Sequence, residues 1–269
     1  MRIFQAALRL SLALFVACSA FARKANAQTS ALAAGRKPVV VELFTSEGCS
    51  SCPPADALLE KLEAQQLVAG VQIIAFEEHV DYWNHDGWID PYSSPEWTKR
   101  QEAYTARFKK DAYTPELVVD GQSQFLGSDE RKAELEIEKA ARGVKTEVAI
   151  ASREPEAKGS QQFTVSVGKL AGNRAGDVAE VWLAVTEDGL HSSVSLGENA
   201  GHVLDHGATL RSLRKIGVAD ASAASASFTG DTLVKFSPHW DPENLRVTVF
   251  VQEKKSRDIL GAASTKIKG

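Results

Sequence analysis

The chain has 269 residues, of which 31 are basic and 35 acidic, so its formal net charge is −4. An acidic balance disfavours contact with a phosphate backbone, and we predict no nucleic-acid partner. The length suits one large or two modest domains, and three cysteines are too few for the disulfide framework of a small secreted domain.

The first 27 residues have the pattern of a secretory signal peptide. A basic start precedes an apolar run at residues 10–21, and Ala25-Asn26-Ala27 provides small residues for cleavage. Cleavage after Ala27 removes four basic residues and no acidic ones, so the mature net charge becomes −8. No run reaches the roughly 18 apolar residues of a spanning helix. We therefore expect a periplasmic or secreted protein without a transmembrane segment; lipidation at Cys18 is the alternative.

The next part of the chain alternates strand and helix patterns. In chain order we predict a strand at 39–44, a helix through 58–67, a strand at 71–76, a helix from 94 to about 109, two short strands around Asp120-Gly121 and a helix from 128 to 143. The first helix connects two strands, which implies that these strands are parallel.

Beyond residue 143 the pattern changes to short alternating runs. They lie at 147–152, 163–167, 178–186, 191–196, 233–236 and 247–252, separated by clusters of Gly, Asn, Asp and Ser. Repeated short strands with turn signals predict an all-β, sandwich-like second domain at residues 144–269.

Cys49 and Cys52 fall at the N-terminus of the first predicted helix, just before Pro53. Unpaired amide groups and the helix dipole favour a thiolate at such a position. Cys52 lies one turn after Cys49 and could attack a mixed disulfide formed there. Because the pair closes only a short loop, stabilisation is a poor explanation for it.

A CxxC motif at a helix start, followed later by Thr114-Pro115 directly before a hairpin, resembles the thioredoxin superfamily. The resemblance implies an α+β fold class, with a thioredoxin-like domain at residues 36–143 before the β domain. It also implies that the Thr114–Pro115 bond is cis and lies beside the cysteines, where the Thr114 backbone pairs with a substrate polypeptide. Glu42 is the nearest counterpart of the family's buried strand acid, which acts as a general base.

Four longer stretches carry a more specific resemblance. They are VELFTSEGCSSCPPAD at 41–56, HVDYW at 79–83, YTPELVVDG at 113–121 and GENAGHVLDH at 197–206. Together they resemble an exported bacterial family catalogued as domain of unknown function 1223. This resemblance implies fold and export, and it brings no substrate.

Two further polar groups remain open to interpretation. The alternation in 79–83 either completes a core strand, which we favour, or lines a cleft beside the cysteines. Glu198, His202, Asp205 and His206 are interpreted as a solvated loop, with a metal site or a contact to the first domain as alternatives.

The predicted function is that of a thiol–disulfide oxidoreductase acting on exported proteins or on a redox partner protein, with no cofactor. Cys49 is the predicted nucleophile and Cys52 the resolving thiol. One alternative is a Cu(I)-binding module in which both thiols and His79, or another histidine, hold the ion. Another is a redox-responsive binding module of the cell envelope.

Overall fold

The computed structural model of the protein describes residues 35–85, 87–153 and 159–267. The predicted signal peptide at 1–27, with Cys18, lies outside the described residues and stays a prediction. Among the helices that are described, none is long and apolar enough to cross a membrane.

The first half of the chain contains three helices and four strands. They are β1 (Lys37–Thr45), α1 (Pro53–Gln65), β2 (Val71–His79), α2 (Pro95–Phe108), β3 (Glu116–Val119), β4 (Ser123–Leu126) and α3 (Glu130–Ala141). This order confirms the predicted one. Proline occupies the first positions of α1 and α2, where no intrahelical amide bond is required. Ser94 caps α2 by accepting a hydrogen bond from the Glu96 amide.

The second half consists mainly of strands. They are β5 (Val148–Ser152), β6 (Ser160–Val167), β7 (Ala179–Glu187), β8 (Leu190–Ser193), β9 (Val203–His206), β10 (Thr209–Val218), β11 (Phe228–Lys235), β12 (Leu245–Glu253) and β13 (Ile259–Lys266). β9, β10 and β13 had no predicted counterpart. In β10, register shifts at two places interrupt the period-two pattern that would have indicated a strand.

The fold-class prediction of a thioredoxin-like domain followed by a separate β sandwich is wrong. The protein is mostly β and has one mixed eight-stranded sheet in the order β13-β12-β7-β10-β2-β1-β3-β4. β1 and β2 are parallel, as predicted, and β10 joins β2 in parallel at Thr209 and Glu77. Both halves of the chain therefore build the same sheet, and the predicted division after residue 143 falls between α3 and β5.

The physical reason is that β1 and β2 are apolar on both faces. On one face, Val39, Val41 and Leu43 pack against α1 and α3. On the other face, Val40 and Phe76 belong to a cluster that includes α2 but is completed mainly from the second half. Those completing residues are Ala184, Leu210, Phe250, Ile259 and Ala262. Without the second half, this apolar surface would be exposed to water.

The second half adds two smaller sheets to this frame. The three-stranded sheet β11-β6-β5 packs through an apolar core against β7, β12 and β13. The hairpin of β8 and β9 forms a two-stranded sheet, and Gly207, which follows it, lies against Glu60 of α1. The C-terminal end of this hairpin therefore lies beside α1.

The turn between β3 and β4 also joins the two halves. Asp120 and Gly121 both have positive φ angles, 48° and 66°, as the predicted Asp-Gly hairpin turn requires. A Cβ atom at Gly121 would lie 1.9 Å from the carbonyl oxygen of Arg257. Glycine is therefore needed here for close packing as well as for its backbone conformation.

Candidate functional site

The structure joins Cys49 and Cys52 in a disulfide at the start of α1. Cys52 is the N-cap residue, and its carbonyl oxygen accepts hydrogen bonds from the amides of Ala55 and Asp56. The predicted position at a helix N-terminus is therefore confirmed. Both cysteines are buried, with 1% and 0% of their surface exposed, although Ser50 between them is exposed. The disulfide thus lies just below the surface.

A loop from the second half covers the disulfide. This cover loop, residues 194–202, connects β8 to β9 and is closed by backbone hydrogen bonds between Val194 and both Gly201 and His202. The buried side-chain amide of Asn199 donates to the carbonyl oxygens of Glu47 (2.8 Å) and Cys49 (3.1 Å). The cover loop is therefore anchored to the backbone on both sides of Gly48, next to the disulfide.

Glu198 makes a further contact between the cover loop and the CxxC segment. Its Oε2 accepts a hydrogen bond of 3.0 Å from the Ser50 amide. Hydrogen bonding to Ser50 lowers the pKa of Glu198. The sequence favours a solvated loop for Glu198, with a contact to the first predicted domain as the alternative; the structure confirms that alternative for this residue.

Thr114 and Pro115 lie on the other side of the same segment. Their peptide bond is cis, as the resemblance implies. The indole of Trp83 donates a 2.7 Å hydrogen bond to the Thr114 hydroxyl, and the Trp83 backbone packs against Gly48. Pro115 and Ala55 of α1 pack against a common residue, Gly127. The structure therefore brings the disulfide and the Thr114–Pro115 bond into one region.

Glu42 is placed differently from the other predicted site residues. Its carboxylate accepts hydrogen bonds of 2.5 Å from Arg100 and from the Tyr104 hydroxyl, both on α2. The neighbouring residues Val41 and Leu43 occupy the α1 face of β1. Because side chains alternate along a strand, Glu42 points to the opposite face. The sheet thus separates it from the α1 side, where a general base for the cysteines would be needed.

Asp56 is a buried carboxyl group on the α1 side that sequence reasoning missed. It lies one helical turn after Cys52 and accepts a 2.6 Å hydrogen bond from the Thr45 hydroxyl. Burial, reinforced by the negative charge of Glu77, raises the pKa of Asp56 to about 7. Its signal in the sequence was the four-residue spacing from Cys52, which puts both on one face of a helix.

A buried group of three residues, which we call the histidine cluster, lies next to the CxxC segment. It consists of Glu77 and His79 at the end of β2 and His206 at the end of β9. His206 Nδ1 is 3.0 Å from Glu77 Oε1, and its Nε2 is 3.0 Å from Oε1 of Glu47. His79 Nδ1 is 2.7 Å from Oδ2 of Asp90. Glu47 precedes Cys49 by two residues and so connects the cluster to the cysteines.

Charge interactions dominate the protonation of the histidine cluster. Burial acts to lower the pKa of His206, but hydrogen bonds to Glu47 and Glu77 outweigh it and raise the pKa to about 9. Burial opposes a proton on His79 too, yet Asp90 and Glu77 hold its pKa well above the usual range. Burial tends to raise the pKa of Glu77, whereas the two histidines lower it to about 2. The cluster is therefore a network of compensated charges.

Sequence reasoning named His79 and His206 separately and did not bring them together. Glu77 and His79 are alternate residues of β2, so they share a face. His206 is 129 residues from Glu77 along the chain, and the pairing of β10 with β2 at Thr209 brings the two close together. The alternation near the end of β2 was the available signal, and it did not indicate a partner.

Comparison with known proteins agrees with the architecture described above. The structure of protein AGR_C_4864 from Agrobacterium tumefaciens matches with a TM-score of 0.63 and 24% identity, over 87% of this chain and 98% of that chain. HBP35 of Porphyromonas gingivalis matches with a TM-score of 0.63 and 16% identity, over 86% of this chain and 76% of that one. At these identities the likeness shows the fold alone.

No curated protein matches the sequence. A family model described as "Protein of unknown function (DUF1223)" matches residues 40–252, which include the CxxC segment, the cover loop and the histidine cluster. The chain therefore belongs to the DUF1223 family.

Proposed function

We propose that the protein is a thiol–disulfide oxidoreductase whose redox pair is Cys49 and Cys52. The observation that carries the proposal is the disulfide at the N-cap of α1, in the same region as the Thr114–Pro115 bond. A sulfur at a helix N-terminus leaves readily as a thiolate, because unpaired amides and the helix dipole stabilise its charge.

The reaction follows from the geometry of the pair. A substrate thiolate attacks Cys49 Sγ, the S–S bond to Cys52 breaks, and Cys52 departs as a thiolate at the start of α1. A second substrate thiolate then attacks the mixed disulfide, releasing Cys49 and an oxidised substrate. The substrate loses two electrons and the Cys49–Cys52 pair gains them; running in reverse, the same steps reduce a substrate disulfide.

The substrates in this proposal are exported proteins. The support is the signal-peptide pattern at residues 1–27, together with a cysteine pair that is oxidised in the structure. The cover loop would open to admit a substrate segment, and the backbone of Thr114 is the proposed partner for that segment.

Single cysteine variants test the proposal. We expect Cys49→Ser to abolish insulin reduction and the refolding of scrambled protein, since no mixed disulfide can form. We expect Cys52→Ser to accumulate mixed disulfides, since the resolving thiol is missing. Ser225→Ala, at an exposed serine between β10 and β11, is the control and should keep wild-type activity.

Two outcomes would remove the proposal. One is full activity in Cys49→Ser together with no trapped partner in Cys52→Ser. The other is an inactive wild-type protein whose reduced form binds one Cu(I) through both thiols, which would establish the copper-binding alternative instead.

A further inference from the structure

The histidine cluster offers three metal-ligand atoms, one from each of Glu77, His79 and His206, all within 4.8 Å of one another. In a tetrahedral zinc site with bonds of about 2.0–2.1 Å, ligand atoms stand roughly 3.4 Å apart. Small side-chain movements would therefore bring the three atoms to bonding distance of a common centre.

One buried ring nitrogen in the cluster has no hydrogen-bond partner. His79 is fully buried, and its Nδ1 is taken by Asp90. Its Nε2 makes no hydrogen bond within the described part of the chain and faces Oε2 of Glu77 at 3.6 Å. Leaving a buried polar atom unsatisfied costs about 1–3 kcal/mol. A ligand at this position would satisfy it.

The surroundings of the two histidines match those of metal-binding histidines. Each ring has one nitrogen facing Glu77 and the other bound to a carboxylate, Asp90 for His79 and Glu47 for His206. Metal-ligating histidines almost always hold their second nitrogen in this way, which fixes the ring orientation.

The supporting carboxylates are themselves held in place. The Glu47 amide and the Tyr92 amide both donate to Asp90, and the Trp88 indole donates to Oε2 of Glu47. Glu77 Oε2 accepts a further bond from the Thr209 hydroxyl. The cluster is therefore preorganised, and the carboxylate of Glu77 together with those of Glu47 and Asp90 favours a cation at the centre.

We propose that Glu77, His79 and His206 bind a divalent transition-metal ion, with Zn²⁺ as the best fit. Two imidazole nitrogens and one carboxylate oxygen are a ligand set that Zn²⁺ prefers, with the fourth position left for water. Binding displaces one proton from His79 Nε2 and one from His206 Nδ1, and both protons go to solvent. The site uses neither cysteine, so this proposal does not rest on the proposed redox function.

The test is a titration of the untagged, full-length mature protein with Zn²⁺, in the oxidised form at pH 8. Calorimetry measures the affinity, and metal analysis measures the number of ions bound per chain. We expect one Zn²⁺ per chain in the wild-type protein and in the Cys49→Ser/Cys52→Ser double variant. We expect His79→Gln and His206→Gln to weaken binding by at least about 100-fold, because each removes a ligand. His239→Gln, at an exposed histidine, is the matched control and should bind as wild type.

Co²⁺ provides a second readout that does not depend on the variants folding. Visible absorption of Co²⁺-loaded wild-type protein should show a low-coordinate site with nitrogen and oxygen ligands and no thiolate charge-transfer band. The proposal is overturned if the wild-type protein binds neither Zn²⁺ nor Co²⁺. It is equally overturned if binding survives in both histidine variants, or if it is lost in the double cysteine variant.

Discussion

The buried carboxyl group of Glu116 shows how a single side chain couples the stability of this protein to pH. Glu116 follows Pro115 at the start of β3, and its Oε2 accepts a hydrogen bond from the side-chain amide of Gln101. Burial raises the pKa of Glu116 from 4.5 to about 7, and the bond from Gln101 opposes this only in part. The folded state therefore holds a proton that the unfolded chain releases near pH 4.5. Stability from this group is present at low pH and falls as the pH rises towards 7.

Replacing this carboxyl group with a neutral amide should remove that loss. We expect Glu116→Gln to raise the free energy of unfolding at pH 8 by roughly 1–3 kcal/mol relative to wild type, and to leave it nearly unchanged at pH 4.5. Gln101 can still donate to the new side-chain carbonyl. Urea unfolding at both pH values measures the difference.

Glu102→Gln, at an exposed position of the same helix as Gln101, is the control and should show no such pH-dependent gain. Equal effects of Glu116→Gln at both pH values would mean that the buried group is not the source of the pH dependence.

We expect the cover loop to control access to the cysteines as a unit. Its closed backbone presents one buried amide, that of Asn199, to the carbonyl oxygens of Glu47 and Cys49. At a net contribution of about 1 kcal/mol for each hydrogen bond, these two contacts together stabilise the closed loop by about 2 kcal/mol.

We expect Asn199→Ala to speed reduction of the Cys49–Cys52 disulfide by dithiothreitol about tenfold, since the loop opens more often when both hydrogen bonds are missing. Quenched alkylation at timed intervals measures the rate. Asn244→Ala, which removes an exposed contact to Asp241, is the control, and its disulfide should be reduced at the wild-type rate. An unchanged rate in Asn199→Ala would show that reagents reach the sulfurs by another route.

The two halves of the chain share one sheet, so they should unfold together. The close approach of Gly121 to Arg257 is one of the points where they touch. A side chain at Gly121 would strain its positive φ and push the β3–β4 turn away from Arg257 and Asp258, in the turn between β12 and β13.

We expect Gly121→Ala to lower the free energy of unfolding by at least about 2 kcal/mol while leaving a single cooperative transition. Calorimetry of the variant should give equal van't Hoff and calorimetric enthalpies. Gly172→Ala also changes a glycine with positive φ, but this glycine has open space around it, so the variant isolates the cost of the backbone strain. Its free energy of unfolding should fall by less than that of Gly121→Ala. Two separate transitions would contradict the shared sheet.

How much of this fold can be predicted from the sequence depends on whether the contacts that form each element are local or join distant parts of the chain. Pro53, Ser94 and Asp120-Gly121 act locally, on their own helix or turn, and the elements that contain them were predicted correctly. The pairing of β10 with β2 has no local signal, because the strand that makes it is interrupted by register shifts. The histidine cluster depends on this pairing and was therefore not predicted as a unit.

The same limit applies to Glu42. Its residue type and position on β1 suited a general base, but the face that a strand residue occupies depends on which side each helix packs. Arg100 and Tyr104 lie on α2, and they draw Glu42 to that side.

The position of β2 inside the sheet also bears on how the chain is synthesised. Translation completes β2 long before β10, β12 and β13 exist, so a nascent chain that has reached only residue 143 lacks most of the residues that cover Ile74 and Phe76. Such an unfinished strand edge is a template for association with other chains. The apolar face of the first half therefore stays partly exposed until the last strand has been made, and during that interval the topology favours association with other chains or with a chaperone.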